Sequence, residues 1–292
     1  MYIRRTINLI ASNAMQGSLL AINALALIVA VALFIKAMPI LDKVSLSDLF
    51  LSSTWHPLRG EFGFFPFIVS TIEVTTLAMI LAIPVCLLSA IYLSEYVNRR
   101  VRDFARLLID IMAGIPSVVY GLCGVIVIVP FVQQLGEAMD RPTTGYSLLA
   151  GGIVLAIMVV PFIISLSLEV MRTVPVEARE SALSLGTTKW EMVKYVVFKS
   201  SKKGIAAAIV LGFSRAFGET MAVLMVVGNV AMVPASIFDP AYPLPALIAN
   251  NYGEMMSIPL YDSAMLLAAL VLMMVVGTFS IIAHLTLMRM AR

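Results

Sequence analysis

The sequence contains few charged residues. Asp, Glu, Lys and Arg make up 13% of the 292 residues, and the net charge is only +3, whereas soluble domains usually contain about 25% charged residues. Hydrophobic residues account for 61% of the chain, and its mean hydropathy is +0.99. This composition excludes an ordinary soluble domain and gives no basis for a nucleic-acid partner. It predicts an all-α integral membrane protein in contact with membrane lipid.

Cysteine and histidine are scarce. Both cysteines, Cys86 and Cys123, fall inside apolar segments, so a disulfide framework is not expected, and no paired-cysteine metal spacing exists. The two histidines, His56 and His284, are too few and too far apart in the sequence for a metal site. The sequence therefore predicts no metal and no cofactor in this chain.

Motifs for nucleotide binding and for hydrolysis are missing. The chain contains no G-x-x-x-x-G-K-[ST] loop, which would cradle the phosphates of ATP. H-E-x-x-H and G-x-S-x-G are missing as well, which argues against a membrane protease or esterase. We therefore expect no enzyme activity in this chain, and any ATP that drives it must be hydrolysed on a partner chain.

Long apolar runs dominate the rest of the sequence. A helix needs roughly 20 apolar residues to cross about 30 Å of hydrocarbon, and six runs meet this requirement. The predicted spans are 15–38, 64–93, 107–132, 146–170, 205–229 and 263–288. We divide the chain into residues 1–63, with the first span and an external loop, and residues 64–292, which form a five-helix core.

The positions of the basic residues predict the orientation. Most of the 20 Lys and Arg residues lie in the loops on the same side as the two termini, and positive loops usually face the cytoplasm. Both termini are therefore expected to be cytoplasmic. Arg4 and Arg5 followed by an apolar run also fit a cleaved signal peptide. A retained first helix is favoured because the run is long and no small-x-small cleavage site follows it.

The cytoplasmic loop between spans four and five, at about 172–204, contains a helical pattern. Its sequence VPVEARESALSLGTTKWEMVKYVVFKSSKKG favours a helix after Pro175, a break at Gly186 and a second helix that includes Trp190. Two short amphipathic helices on the cytoplasmic face would form a rigid surface for another protein. The same pattern also fits an interfacial loop that is anchored to lipid headgroups.

This loop resembles the EAA loop of ABC importer permeases, which reads Glu-Ala-Ala, three residues, Gly, nine residues, Ile-x-Leu-Pro. The resemblance lies mainly in the spacing, and Lys199 stands where the family has proline. The residues that carry it are Glu180, Ser181, Ala182, Gly186, Val196 and Phe198. In the family this loop forms coupling helices that insert into the ATPase subunit. The resemblance assigns ATPase coupling to Glu180, Ser181, Ala182, Gly186 and Trp190.

Two further segments are similar to the PstC-type permeases of phosphate ABC transporters. They are IPSVVYGL at 115–122 and GFSRAFGETMAVLMVVGN at 212–229. The resemblance implies a MetI-like permease fold in a prokaryotic inner membrane and import of inorganic phosphate. It also implies three partners: a homologous second permease, a pair of ATPase subunits that hold ATP and Mg, and an extracytoplasmic phosphate-binding protein. Sulfate, molybdate or tungstate remain alternative substrates, and a secondary carrier or channel is a further alternative.

Span five carries two charges, Arg215 and Glu219. On a continuous helix they would share a face with Ala208, Gly212 and Ala222. An arginine at the bilayer centre costs about 2.5 to 3.5 kcal/mol on insertion scales, so it requires a partner or a function. We predict that Arg215 attracts the anion, and that Glu219 and Glu73 hold Arg215 when substrate is absent. In the alternative, these charges only neutralise one another.

Overall fold

The computed structural model describes the backbone of residues 2–253, 258 and 260–291. Side chains are described from residue 11 onwards within those ranges, up to 282 and again at Leu285. Arg4, Arg5 and His284, which were considered above, therefore have side chains outside the described residues.

Nearly all regular structure in the described residues is helical. The exceptions are two paired strands of two residues each, β1 (Trp55–His56) and β2 (Glu61–Phe62). The helices are α1 (Tyr2–Leu41), α2 (Leu46–Leu51), α3 (Phe65–Ile91), α4 (Arg99–Gly114), α5 (Ser117–Cys123), α6 (Val129–Ala138), α7 (Leu148–Arg172), α8 (Val176–Ser184), α9 (Lys189–Met192), α10 (Phe198–Phe217), α11 (Met221–Leu224), α12 (Leu244–Asn251) and α13 (Tyr261–Ala291). Three π-helical turns extend or join these helices, at Tyr92–Tyr96, Gly124–Ile128 and Val193–Val197.

Five helical segments in the described residues are long and apolar enough to cross a membrane. They are Ala11–Leu41, Phe65–Tyr96, Ser117–Ala138, Leu148–Arg172 and Tyr261–Ile282. Helix α10 is the sixth long helix, but it begins with a basic turn and carries Arg215 close to its end. The prediction of an all-α, six-helix membrane protein is therefore confirmed, although two of the predicted boundaries are wrong.

The predicted third span, 107–132, combines two different helices. Helix α4 ends at Gly114, Ile115 is extended, and the apolar helix starts only at Ser117. Proline disfavours helical backbone at the residue before it, so Pro116 forces this break. Helix α4 is amphipathic and has no fully buried residue. The actual third span is Ser117–Ala138.

The predicted fifth span, 205–229, is also wrong beyond Phe217. Helix α10 ends there, and α11 follows as a single short turn. The chain then folds back beside the start of α7, where the Ser147 amide donates to the Val226 carbonyl at 3.2 Å and the Ala241 amide to the Val227 carbonyl at 2.9 Å. These contacts satisfy irregular backbone next to the apolar helices.

Helices α3 and α7 form the centre of the larger core. Gly152 allows their close approach, because a Cβ atom at this position would lie 2.8 Å from the side chain of Leu77. Cys86 is buried between them and its thiol donates to the Val160 carbonyl at 3.6 Å, which agrees with a packing role. A second core joins the end of α1 to α13 through an aromatic cluster that contains Phe64 and Tyr261.

Candidate substrate path and coupling surface

Arg215 lies in the last turn of α10 and its side chain is exposed on the surface of this chain. Its guanidinium carbon sits 5.0 Å from the ring centre of Phe162 on α7. Within the part of the chain that the structure describes, no carboxylate oxygen lies within ion-pair distance of its guanidinium. The aromatic ring therefore orients the arginine without neutralising its charge.

Glu219 follows the end of α10 and is only half-buried. Its Oε1 atom accepts a hydrogen bond from the Ala222 amide at 3.2 Å, as a capping carboxylate does at the start of a helix. The side chain borders a narrow space that is also lined by Thr71 and Thr75 of α3. The prediction that Arg215, Glu219 and Ala222 share one helix face is therefore wrong, because the helix has already ended.

Glu73 lies on a different side of α3. A helix turns by about 200° over two residues, so Glu73 faces away from both Thr71 and Thr75. It lines a cavity of about 410 Å³ together with Leu148 and the segment 234–237. Its Oε2 atom is buried and has no hydrogen-bond partner among the described residues. The structure thus places Arg215, Glu219 and Glu73 in three separate environments.

Two aromatic residues near Arg215 were not predicted. Phe162 stacks on the guanidinium, and Tyr120 lies within electrostatic range of it. The Tyr120 hydroxyl donates to the Met112 carbonyl at 2.7 Å, which fixes the ring. Tyr120 also borders an apolar cavity of about 270 Å³ next to the exposed Cys123. Its position within the family-like segment IPSVVYGL was the only available sign of its importance.

The loop at about 172–204 forms two short helices, as predicted. Helix α8 ends at Ser184, Gly186 adopts a left-handed φ of +84°, and α9 begins at Lys189. Among the predicted coupling residues, Ala182 is buried and the other four are exposed. The side chain of Leu185 is 86% exposed and that of Trp190 is 55% exposed. Large apolar side chains that are this exposed at the end of α8 and in α9 indicate a surface for protein contact.

A capping box fixes the start of α9. The Thr188 hydroxyl accepts from the Glu191 amide at 3.3 Å, and the Thr188 amide donates to Glu191 Oε2 at 2.8 Å. Hydrogen bonds from the backbone and the hydroxyl of Thr188 hold the pKa of Glu191 below its ordinary value. Glu191 is therefore ionised at neutral pH, and its charge is favourable at the helix N-terminus.

Apolar helices of membrane length, an arginine that has no carboxylate partner among the described residues and a pair of exposed helices fit a multi-pass membrane transport subunit. Comparison with known families agrees with this class. Residues 82–289 match the family described as "Binding-protein-dependent transport system inner membrane component". The chain belongs to this family, and it is an inner-membrane permease subunit.

Relatives at 34–37% identity cover most of the chain. It is 37% identical over 260 residues to the phosphate transport system permease protein PstC of Xylella fastidiosa strain Temecula1, covering 84% of this chain and 80% of that protein. It is 34% identical over 276 residues to PstC of Mesorhizobium japonicum, covering 89% of this chain and 84% of that protein. An inward-facing structure of the MetNI methionine ABC transporter aligns with a TM-score of 0.55 at 17% identity. The alignment covers 79% of this chain and 95% of that chain. This likeness confirms the predicted MetI-like fold.

Proposed function

We propose that this chain is the permease subunit of an ABC importer that moves inorganic phosphate into the cytoplasm. Relatives named as phosphate transport permeases cover most of the chain and provide the substrate class. The observation that carries the proposal in this chain is Arg215, whose charge is exposed and stacked on Phe162. A planar guanidinium can donate two parallel hydrogen bonds to a tetrahedral oxyanion.

The carboxylate of Glu219 keeps the binding of the anion reversible. Conduction requires binding that is weak enough to allow release. Glu219 lies four residues beyond Arg215, and its negative charge lowers the local potential without occupying the guanidinium. Glu73 acts elsewhere on the path, since its carboxylate borders the cavity beside segment 234–237. In this proposal Arg215 attracts phosphate, Glu219 limits how tightly it is held there, and Glu73 acts at its separate cavity.

Energy comes from partner chains. ATPase subunits bind ATP and Mg, and the exposed surface around Glu180, Ser181, Gly186 and Trp190 docks on them. A homologous second permease completes the membrane path, and an extracytoplasmic phosphate-binding protein delivers the anion. Both termini are cytoplasmic in this arrangement, which places the docking surface on the side where ATP is available.

A continuous helical segment connects the docking surface to Arg215. Helix α9 passes through the π turn Val193–Val197 directly into α10. At about 1.5 Å per residue, the stretch from Lys189 to Phe217 is about 43 Å long, which is enough to cross the membrane core. Movement of the ATPase subunits would therefore reach Arg215 through one rigid element.

Transport by the reconstituted complex tests this function. The chain is assembled in proteoliposomes with its paired permease, ATPase and binding protein, and uptake of labelled phosphate is measured. We expect uptake that requires ATP and persists in excess sulfate, molybdate and tungstate. Loss of uptake to one of these anions would reassign the substrate. Gradient-driven uptake without the ATPase would instead support a secondary carrier.

A further inference from the structure

A buried ion pair joins α8 to the π turn Tyr92–Tyr96 at the end of α3. Helices α8 and α9 carry the docking surface and are called the docking helices. Arg179 of α8 donates from Nη2 to Glu95 Oε1 at 3.0 Å and from Nε to Glu95 Oε2 at 3.3 Å. The two side chains are only 16% and 6% exposed. The other ion pair in the described residues, Arg99 with Asp103, is 87% and 58% exposed. Among the described residues, the Arg179–Glu95 pair is therefore the one ion pair that is both bidentate and shielded from water.

Arg179 also holds the end of α7. Its Nη2 atom donates to the Met171 carbonyl at 2.9 Å, and its Nη1 atom donates to the Val174 carbonyl. The Ser94 hydroxyl donates at 2.7 Å to Glu95 Oε1, the same oxygen that accepts from Arg179 Nη2, and helps to fix the carboxylate. One guanidinium thus connects α3, α7 and α8, with all three of its nitrogens engaged.

The π turn Tyr92–Tyr96 receives contacts from both docking helices. Glu95 in this turn binds Arg179 of α8, and the Tyr96 ring lies 4.8 Å from the Lys189 ammonium of α9. π turns inside α-helices occur frequently at functional sites. The end of α3 is therefore the place where contacts from α8 and α9 converge.

Stability alone does not account for the pair. The desolvation of a buried ion pair roughly cancels its attraction, and apolar replacements are often equally stable. A bidentate guanidinium–carboxylate contact fixes direction as well as distance, which an apolar contact does not. Beside it, α8 is held by the chain connection Thr173–Pro175 and by the apolar packing of Ala182, neither of which fixes its direction relative to the end of α3 in this way.

We propose that Glu95 and Arg179 form a positioning pair that transmits movement of the docking helices to the packed helices α3 and α7. The proposal rests on the proposed function, because it needs an ATPase that moves α8. Two routes then leave the docking surface: α8 moves α3 and α7 through the ion pair, and α9 moves α10 and Arg215 directly. Opening of the path requires both routes to act together.

The test uses the whole complex in proteoliposomes with the variants Glu95→Gln and Arg179→Lys. Each keeps the approximate shape of its side chain but loses the bidentate charge pair. Asp103→Asn, which breaks the exposed pair, is the matched control. Three quantities are measured for each: assembly with the ATPase, stimulation of ATP hydrolysis by phosphate-loaded binding protein, and phosphate transported per ATP.

We expect all three variants to assemble and to hydrolyse ATP at the basal rate. In Glu95→Gln and Arg179→Lys, stimulation and phosphate per ATP should fall about tenfold, which corresponds to about 1.4 kcal/mol of coupling free energy. The control should stay within about twofold of the unmodified complex, as expected for an exposed pair.

Normal stimulation and normal phosphate per ATP in both variants would overturn the proposal. Failure of both variants to assemble would also overturn it, since the pair would then serve folding alone. If the unmodified complex is stimulated by binding protein loaded with another oxyanion and imports that anion instead of phosphate, only the proposed substrate is wrong. The effect of the two variants on stimulation would still decide the role of the pair.

Discussion

Arg215 and Glu219 lie on opposite sides of a helix end. Arg215 belongs to the last turn of α10, whereas Glu219 follows Gly218 and accepts a hydrogen bond from the Ala222 amide. The guanidinium faces Phe162, and the carboxylate faces the start of α11. Two charges that appear to neutralise each other in the sequence are therefore separately engaged, which leaves the arginine charge available to an anion.

Replacement of Arg215 tests its role in transport directly. Arg215→Gln removes the charge, and a charged hydrogen bond is worth about 1.5 to 3 kcal/mol, so phosphate uptake should fall about tenfold or more. Assembly should remain, because no ion pair of Arg215 within the described residues is lost. The measurement is ATP-dependent uptake at matched protein levels, with Arg141→Gln as the control. Unchanged uptake in Arg215→Gln would exclude an essential role.

The ring of Phe162, which lies against the Arg215 guanidinium, should affect substrate affinity. Phe162→Leu keeps an apolar side chain but removes the cation–π contact, which is worth about 0.5 to 2 kcal/mol. We expect the KM for loaded binding protein or phosphate to rise about threefold to tenfold, with smaller effects on assembly. Phe162→Tyr retains the ring and should behave like the unmodified chain. Equal behaviour of the Leu and Tyr variants would show that the ring does not act on Arg215.

Gly186 should be required for docking because of its backbone. Its φ is +84°, and a Cβ atom there would meet nothing within 4 Å, so an alanine would suffer only backbone strain. That strain is about 1 to 2 kcal/mol. Gly186→Ala should weaken ATPase binding about fivefold to thirtyfold, measured by titration of the ATPase onto the reconstituted permeases. Gly114→Ala is the matched control, since Gly114 also has free space but ordinary backbone angles.

The capping box at α9 should make the docking helix sensitive to acid. The folded-state pKa of Glu191 is below its ordinary value of 4.5, so its contribution is present above that value and is lost as the pH falls through the folded pKa. Hydrogen exchange of the α9 amides should therefore show protection that declines only under acidic conditions below pH 4.5. Glu191→Gln should remove this dependence. A persistent acid transition in Glu191→Gln would assign it to another group.

The sequence was sufficient to predict the apolar helices and the break at Gly186 in the loop at about 172–204. A long hydrophobic run in a bilayer has few alternatives to an α-helix. Gly186 is a strong local signal for a helix end. The division between α4 and α5 also had a local signal in Pro116, but the apolar face of α4 resembled part of a span. Length and hydropathy alone therefore merged an amphipathic helix with a membrane helix.

The end of α10 and the contacts of Arg179 could not be predicted in this way. The residues after Phe217 are as apolar as a continuing span, and it is the hydrogen bonds of Val226 and Val227 to distant backbone that decide their path. Glu95 is separated from Arg179 by 84 positions in the chain. Long-range pairing of this kind leaves no periodic pattern in a single sequence.

The π turn Val193–Val197 sets the direction, around the helix axis, in which the side chains of α10 point. A π turn contains one residue more than an α-helical turn, and one residue corresponds to about 100° of rotation and 1.5 Å of rise. If the same residues between Trp190 and Arg215 formed an uninterrupted α-helix, the guanidinium would be turned about 100° further around the axis, away from Phe162. The angle around the helix axis between the docking surface and Arg215 thus depends on a single additional residue in this turn.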